Sequence, residues 1–475
     1  MLATRAWVRP AHGTPLAAGL FRSRSGRVSA MAAQKRPRTT ARAETDAEPP
    51  DSGASELDAS FPGFGYAVCH MGSFETRAEA FRAKVRTNAL RTERLPRASF
   101  VPSLAHDARK GQAGRVAVVG GCEEYTGAPF FAAVSALKTG CDVVHVFCTE
   151  SAAPVIKSYS PEIIAHPYVF ARSAEEDRAE TSAAKSDAPP PAFDDGVRKT
   201  TRWLKNMDAV VVGPGLGRDP YALAFAREIL AFARKENLPA VVDADGLYLV
   251  SLDPDVVRGN ANAVLTPNAA ELGRLTRSVL GESEARALTD PRPGDTEEDG
   301  GVPSAARERI ACRLSEALRG AAILSKGSVD LGACSAKDEG PIETDFPNAH
   351  VVAWCAVREG GSPRRCGGQG DVLAGSLATF LAWASIARRA RARDVSLAEP
   401  KPSPRLCPAE KVSAMAHAAR VTRDAARAAF EKKKRAATAS DVVEEMGEAF
   451  EARFPADRAS YASSEERERA SGYVT

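Results

Sequence analysis

What this chain lacks narrows it first. Its nine cysteines fall singly between Cys69 and Cys407, with no Cys-x-x-Cys pair. That excludes a disulfide scaffold or a zinc ribbon and suits a reducing compartment. The seven histidines form no H-x-x-x-H pair, so a histidine-ligated metal centre is not expected. No apolar run approaches the length of about 18 residues that a membrane-spanning helix needs. Neither GxSxG nor GxxxxGK[ST] occurs, which removes the hydrolase elbow and the P-loop. Gly120 and Gly121 follow the strand-like RVAVV, but Cys122, Glu123 and Glu124 come next. The GxGxxG spacing is therefore missing, and a Rossmann dehydrogenase is set aside.

A further absence lies at the N-terminus. Residues 1–43 contain nine Lys or Arg and no acid. Subtracting those nine charges from the chain's formal +3 leaves −6 for the remainder, which argues against a nucleic-acid partner. The segment contains Arg, Ala and Ser and has no central apolar block. We therefore expect a transit peptide for a mitochondrion or chloroplast. An internal start at Met31 would give a cytosolic form.

The 475 residues are 44% hydrophobic and 26% charged, as in ordinary soluble proteins. Residues 1–60 read as a disordered leader and 61–100 as an N-terminal extension, helical around 77–91. From residue 101 to 435 the pattern is regular. Short apolar runs (RVAVV, DVVHVF, DAVVV, PAVVD, AVLTP, AAILS) alternate with helical stretches, the last being VLAGSLATFLAWASIARRA. That alternation predicts one large α/β domain, a mainly parallel central sheet with helices on both faces. Residues 172–198, 282–308 and 388–410 read as surface insertions, and the charged tail 436–475 is expected to fray.

Several strand ends carry candidate chemistry. Cys366, Gly367, Gly368, Gln369, Gly370 and Asp371 precede a helical run. Clustered glycines let a backbone approach an oxyanion, and free N–H groups at a helix start favour phosphate. Asp371 there either caps the helix or takes a proton from a substrate hydroxyl. Gly213-Pro214-Gly215-Leu216-Gly217 follows a strand and is either a ligand-binding turn or only a tight one. Asn268 and Glu271 could orient a water or a hydrated Mg²⁺, although their spacing suits a capping box better. Lys326-Gly327 offers a cation at a strand end, by itself weak evidence for a phosphate contact. Asp243, Asp245 and Gly246 form another polar strand end with no role fixed by sequence.

In this order, the segments YTGAP, VVVGPGLGRD, VVDADGLYLV, VLTPNAAELGRL, ILSKG and RRCGGQGDVLAG resemble the ATP-dependent (S)-NAD(P)H-hydrate dehydratases, which belong to the ribokinase-like superfamily. The likeness runs over about residues 100–385, extending toward 430. It implies a ribokinase-like fold and an ATP-dependent hydro-lyase acting on the S-epimers of NADHX and NADPHX, with ATP and Mg²⁺ as cofactors. It also implies phosphorylation of the C6 hydroxyl followed by loss of phosphate. By the same resemblance Asp371 matches the catalytic base, and Gly368, Gln369 and Gly370 match the anion hole. Lys326, Gly327, Ser328, Val329 and Asp330, with Arg364, Arg365, Cys366 and Gly367, match ATP-contacting positions. Tyr125, Gly127, Ala128, Gly215, Gly217, Asn268, Ala269, Ala270, Glu271, Leu272, Gly273 and Arg274 match the hydrate site, which Asp371 also faces. Asn268 and Glu271 would organise Mg²⁺ through water.

The turn from Lys326 to Asp330 lacks a charged residue directly after its glycine, so contacts on the adenine side are expected to differ. A separate NAD(P)HX epimerase is the expected functional partner, with no nucleic acid or membrane, and the chain could form a homo-oligomer. The nearest rival is a ribokinase-like kinase of a thiazole or pyrimidine alcohol, which would leave phosphate on its product. A non-catalytic nucleotide-binding scaffold is the other alternative.

Overall fold

Strand-forming runs spaced by helices give one sheet of ten strands in the computed structural model. It describes residues 64–69, 100–105, 108–172, 189–290, 305–337, 350–394 and 404–456. All of these lie within one compact unit, Ser55–Thr475. The strands are β1 (Phe64–Cys69), β2 (Arg115–Val119), β3 (Val143–Thr149), β4 (Ile163–Val169), β5 (Ala209–Val212), β6 (Ala240–Val242), β7 (Ala263–Leu265), β8 (Ala322–Ser325), β9 (Asp330–Lys337) and β10 (His350–Val357). Their order across the sheet is β1-β10-β9-β8-β7-β6-β5-β2-β3-β4. From β8 to β4 every pairing is parallel, and β9, β10 and β1 close one side antiparallel.

Alternation along each strand sends successive side chains to opposite faces. Val116, Val118, Val144, Val146, Val211 and Leu324 feed one buried cluster. Ala117, Val119, Phe147, Val210, Val212 and Ile323 feed the other. The first face is covered by α1 (Gly127–Thr139), α2 (Ala152–Tyr159), α9 (Gln369–Asp394), α10 (Pro408–Lys433) and α11 (Ala439–Arg453). The second is covered by α3 (Pro191–Leu204), α4 (Pro220–Glu236), α5 (Asp245–Leu252), α6 (Ala269–Leu280), α7 (Glu282–Thr289) and α8 (Ala305–Ala317). The expected mainly parallel sheet with helices on both faces is therefore present. Helix α9 is long and apolar enough to cross a membrane, but 78% of its apolar window is buried, as in a core helix.

Four boundaries differ from the sequence reading. The stretch 388–410 holds the end of α9, which runs to Asp394, and the start of α10, capped by Cys407, while residues 395–403 lie outside the described residues. Arg391 and Arg393 sit in the last turn of α9, where positive charge complements the helix dipole. The stretches 172–198 and 282–308 hold the start of α3, all of α7 and the start of α8, while residues 173–188 and 291–304 lie outside the described residues. The supposed fraying tail contains α11, whose Val442 and Met446 are core residues. Finally, β1 pairs antiparallel with β10 inside the N-terminal extension. The leader 1–60 and the helix expected at 77–91 lie outside the described residues.

Candidate active site

Parallel strands aim their carboxyl ends at one edge of the sheet, and the polar residues gather there. Asp243 directly follows β6, Asn268 comes directly after the Thr266-Pro267 pair that follows β7, and Lys326 directly follows β8. The Lys326 ammonium donates a hydrogen bond of 2.7 Å to Asp243 Oδ1. The aspartate side chain is only 3% exposed. Across from this pair stands the first turn of α9. A Cβ added to Gly370 would lie 3.1 Å from Lys326 Nζ and 3.6 Å from Asp243 Oδ2. Only glycine lets this turn approach the ion pair so closely.

The first backbone bond of α9 runs from Val372 N–H to Gly368 O. The N–H groups of Gln369, Gly370 and Asp371 therefore have no acceptor within the helix. They form a cradle for an anion, reinforced by the positive end of a 26-residue helix. Gly368 adopts φ +90°, and a Cβ there would meet Ala439 Cβ at 2.7 Å and Phe131 at 2.9 Å. The loop is thus wedged between α1 and the start of α11. Gln369 Nε2 donates to Arg364 O at 3.2 Å, closing the turn that carries the exposed Arg364, Arg365 and Gly367 and the half-buried Cys366.

Asp371 is the third residue of α9, so the capping role weighed for it from sequence belongs instead to the Gly368 position. Burial pushes its carboxyl up to about 8, repulsion from Asp243 adds to this, and Lys326 opposes it. Burial also raises Glu271, against the pull of Lys326. Burial alone would lower Lys326, but Asp243, Glu271 and Asp371 together hold it above its ordinary value. Three acidic side chains thus face one ammonium, and even with Asp371 protonated near neutral pH the other two, Asp243 and Glu271, outnumber it.

Asn268 and Glu271 form a complete capping box. Asn268 Oδ1 accepts from the N–H groups of Ala270 and Glu271, and Glu271 Oε2 accepts from Asn268 N–H. Ala269 and Ala270 are exposed, while Gly273 and Arg274 are half-buried. Leu272, matched to the hydrate site by resemblance, is 3% exposed and packs into the core. Turned away from the site edge, its side chain serves packing.

The glycine turns are knitted together. Gly121 N–H donates to Gly215 O at 3.0 Å, and a Cβ on Gly215 (φ +60°) would strike Tyr125 O at 2.5 Å. This brings Tyr125, Gly127 and Ala128 beside Gly215 and Gly217, with the Tyr125 ring 58% exposed. Gly217 N–H donates to Asp245 Oδ2 at 3.0 Å. Between the two aspartates Ala244 holds φ 49°, a conformation costing a non-glycine residue roughly 1–3 kcal/mol. The kink lets one strand end send Asp243 to Lys326 and Asp245 to the glycine turn.

The Lys326–Asp330 turn splits in two. Ser328 is exposed and Gly327 half-buried against the Arg307 guanidinium, whereas Val329 and Asp330 are buried. Asp330 Oδ1 accepts from Gly327 N–H at 2.9 Å and its other oxygen meets Arg423, so this carboxylate holds the turn itself. Neither the role of Asp243 nor that of Arg423 is legible in the sequence. The first was signalled only as a polar strand end, and the second had no local signal at all.

A family model described as NAD(P)H-hydrate dehydratase matches residues 116–292 and 346–447, more than half of the chain. The ATP-dependent (S)-NAD(P)H-hydrate dehydratase of Bos taurus is 40% identical over 358 residues, covering 75% of this chain and 88% of its own. The protein of the same name from Arabidopsis thaliana is 37% identical over 415 residues, covering 85% and 98%. Among solved structures, an ADP/ATP-dependent NAD(P)H-hydrate dehydratase from Bacillus subtilis, co-crystallised with ATP/Mg²⁺, is 15% identical. It covers 74% of this chain and 94% of its own with a TM-score of 0.43.

Proposed function

The chain belongs to the NAD(P)H-hydrate dehydratase family, and from that premise we propose that it uses ATP to remove water from the S-epimers of NADHX and NADPHX, restoring NADH and NADPH. One juxtaposition carries the reading: a half-buried carboxyl, Asp371, in the first turn of α9 beside free N–H groups and the Lys326–Asp243 pair. A module that only binds nucleotides needs the cradle and the cation but not the carboxyl.

Hydroxide is a poor leaving group and phosphate a good one. Asp371 takes the proton of the C6 hydroxyl as that oxygen bonds to the γ-phosphorus and the bond to the β-phosphate oxygen breaks, releasing ADP. The N–H groups of Gln369, Gly370 and Asp371, with Lys326, neutralise charge on the transferring phosphoryl oxygens. The C6–O bond then breaks, its electron pair leaves with phosphate, and loss of a C5 proton restores the double bond. A base whose proton affinity lies near the working pH is suited to the first step.

Mg²⁺ fits the excess of carboxylates around Lys326. Among the described residues no three His, Cys, Asp or Glu side chains group to ligate a metal directly. Glu271 and Asn268 would therefore hold it through water, beside the nucleotide phosphates, where it supplies charge neutralisation. The acid-free segment 1–43 supports import into a mitochondrion or chloroplast, with a cytosolic form from Met31. A separate epimerase would convert the R-epimer to the form used here, and self-association into a homo-oligomer completes the proposal.

The test is an assay of the full chain with NADHX, Mg²⁺ and ATP, following reduced-nicotinamide absorbance and free phosphate together. A matched rise in both, absent without nucleotide, is the expected result. ADP formation on small hydroxymethyl heterocycles, with no absorbance recovered from NADHX, would instead make the protein a kinase.

A further inference from the structure

The turn after β8 carries no positive charge of its own beyond Lys326, yet one is delivered to it from α10. The Arg423 guanidinium donates to Ser328 O at 2.7 Å, to Asp330 Oδ2 at 3.3 Å and to Gly327 O at 3.4 Å. The same side chain donates to Arg358 O at 2.9 Å, Glu359 O at 3.0 Å and Gly360 O at 3.4 Å. These three carbonyls belong to the turn after β10, which leads into the segment from Arg364 to Gly370. The backbone joins in, with Gly361 N–H donating to Arg423 O at 2.7 Å. Gly360 sits at φ +72°, and a Cβ there would lie 3.0 Å from the Arg423 carbonyl carbon and 2.7 Å from Asp424 Oδ1. The turn is shaped to lie against this arginine.

We infer that Arg423 is a positioning residue for ATP: it ties the turn bearing Lys326 to the turn leading into the glycine cluster, so that cation and anion cradle meet the nucleotide in fixed register. The inference rests on the proposed role of those two segments in ATP binding. Only a planar, five-donor fork can serve six acceptors on two turns at once. A lysine would reach one turn or the other. Arg307 grips the first turn from the opposite side, through Ser325 O at 2.8 Å and Val329 O at 3.1 Å. The two turns also flank the paired Asp330 and Val357 at the end of the β9–β10 ladder, so removing Arg423 loosens their register beyond that pair without removing every anchor of the first.

The experiment compares Arg423→Met, Arg423→Lys and Arg388→Met in the full chain. Arg388 of α9 pairs with Glu410 of α10 at 2.9 Å, away from both turns, and controls for loss of a partly buried ion pair. Melting temperature, KM for ATP, KM for the hydrate, kcat and calorimetric affinity for ATP are measured for each. Arg423→Met should weaken ATP, in both KM and calorimetric Kd, by about tenfold or more, as expected from losing charge-assisted bonds that fix a binding loop. The KM for the hydrate should stay within about twofold, because that site lies on other turns. Arg423→Lys should recover only part of the loss. Arg388→Met should lower the melting temperature and leave ATP affinity alone. Equal changes in both KM values, or a fall in melting temperature with ATP affinity intact, would overturn the inference. Should Arg423→Met not fold, Asp330→Asn, which removes the carboxylate joining Arg423 to the turn, must show the same selective loss. Wild-type protein that binds ATP but turns over no hydrate would refute the functional reading, while the calorimetry still decides for or against Arg423.

Discussion

Replacing Asp371 with asparagine should make the protein more stable and nearly inactive, and the stability gain should depend on pH in a definite way. The carboxyl of Asp371 is raised from 3.8 to about 8 in the folded protein, by burial first and by Asp243 second. At pH 7 the folded state therefore keeps a proton that the unfolded chain releases. Each unit between the unfolded pKa and the ambient pH costs about 1.4 kcal/mol, so the penalty at pH 7 is on the order of 4 kcal/mol. A neutral amide of the same shape escapes it. A group whose folded pKa is raised favours the fold below its unfolded pKa and loses that advantage as pH climbs to the folded value. The gap between Asp371→Asn and the parent should thus be small at pH 4, widen steadily toward pH 8 and level off above it. Denaturant unfolding across that range reads the gap directly, and turnover of NADHX should fall by about 10²–10⁴-fold while ATP still binds. A gap that stays flat with pH would refute the electrostatics argued for this cluster, and near-parental turnover would refute the base.

Other expectations follow from the same contacts. Lys326→Met leaves Asp243 buried without its cation and should cost about 3–5 kcal/mol, part of it regained in the double variant with Asp243→Asn; additive losses in the unfolding cycle would deny the coupling. Gly368→Ala puts a Cβ against Ala439 and Phe131 at positive φ, so a destabilisation of roughly 1–3 kcal/mol and a sharp drop in turnover should appear together. Asn268→Ser retains a capping oxygen, so melting temperature should hold within about a degree or two. If Asn268 also orders the hydrated Mg²⁺, the same variant raises the Mg²⁺ concentration for half-maximal rate, and an unmoved Mg²⁺ dependence would confine the residue to its cap.

The parts legible in the sequence are those whose cause is local. Six strands, β2, β3 and β5 to β8, announced themselves as apolar, mostly β-branched runs, whereas β1, β4, β9 and β10 did not; the cradle at Gly368–Asp371 showed as clustered glycine before a helical period. The capping box at Asn268 and Glu271 needs only a three-residue spacing and was read correctly. The Lys326–Asp243 bond joins residues 83 positions apart, so VVDADG read as polar with no purpose attached. Arg423 reaches acceptors up to 96 positions away, and nothing in the helical run around it marks it out. Helix α11 was mistaken for a fraying tail because its acidic face outnumbers the core stripe of Val442, Val443 and Met446. Its N-terminus nonetheless walls the glycine loop at Ala439. The Arg-rich end of α9 misled for a related reason, since its basic side chains cover a helix that simply continues.

The central claim is that the hydroxyl is phosphorylated at Asp371 before it leaves. The most direct measurement follows the oxygen atom itself, using NADHX labelled with heavy oxygen at the C6 hydroxyl. Turnover with ATP should carry the label into inorganic phosphate, as the C6–O bond breaks only after that oxygen has bonded to phosphorus. Label recovered in water, with unlabelled phosphate formed alongside, would mean that hydroxide leaves directly and that Asp371 and the cradle do something other than prepare the leaving group.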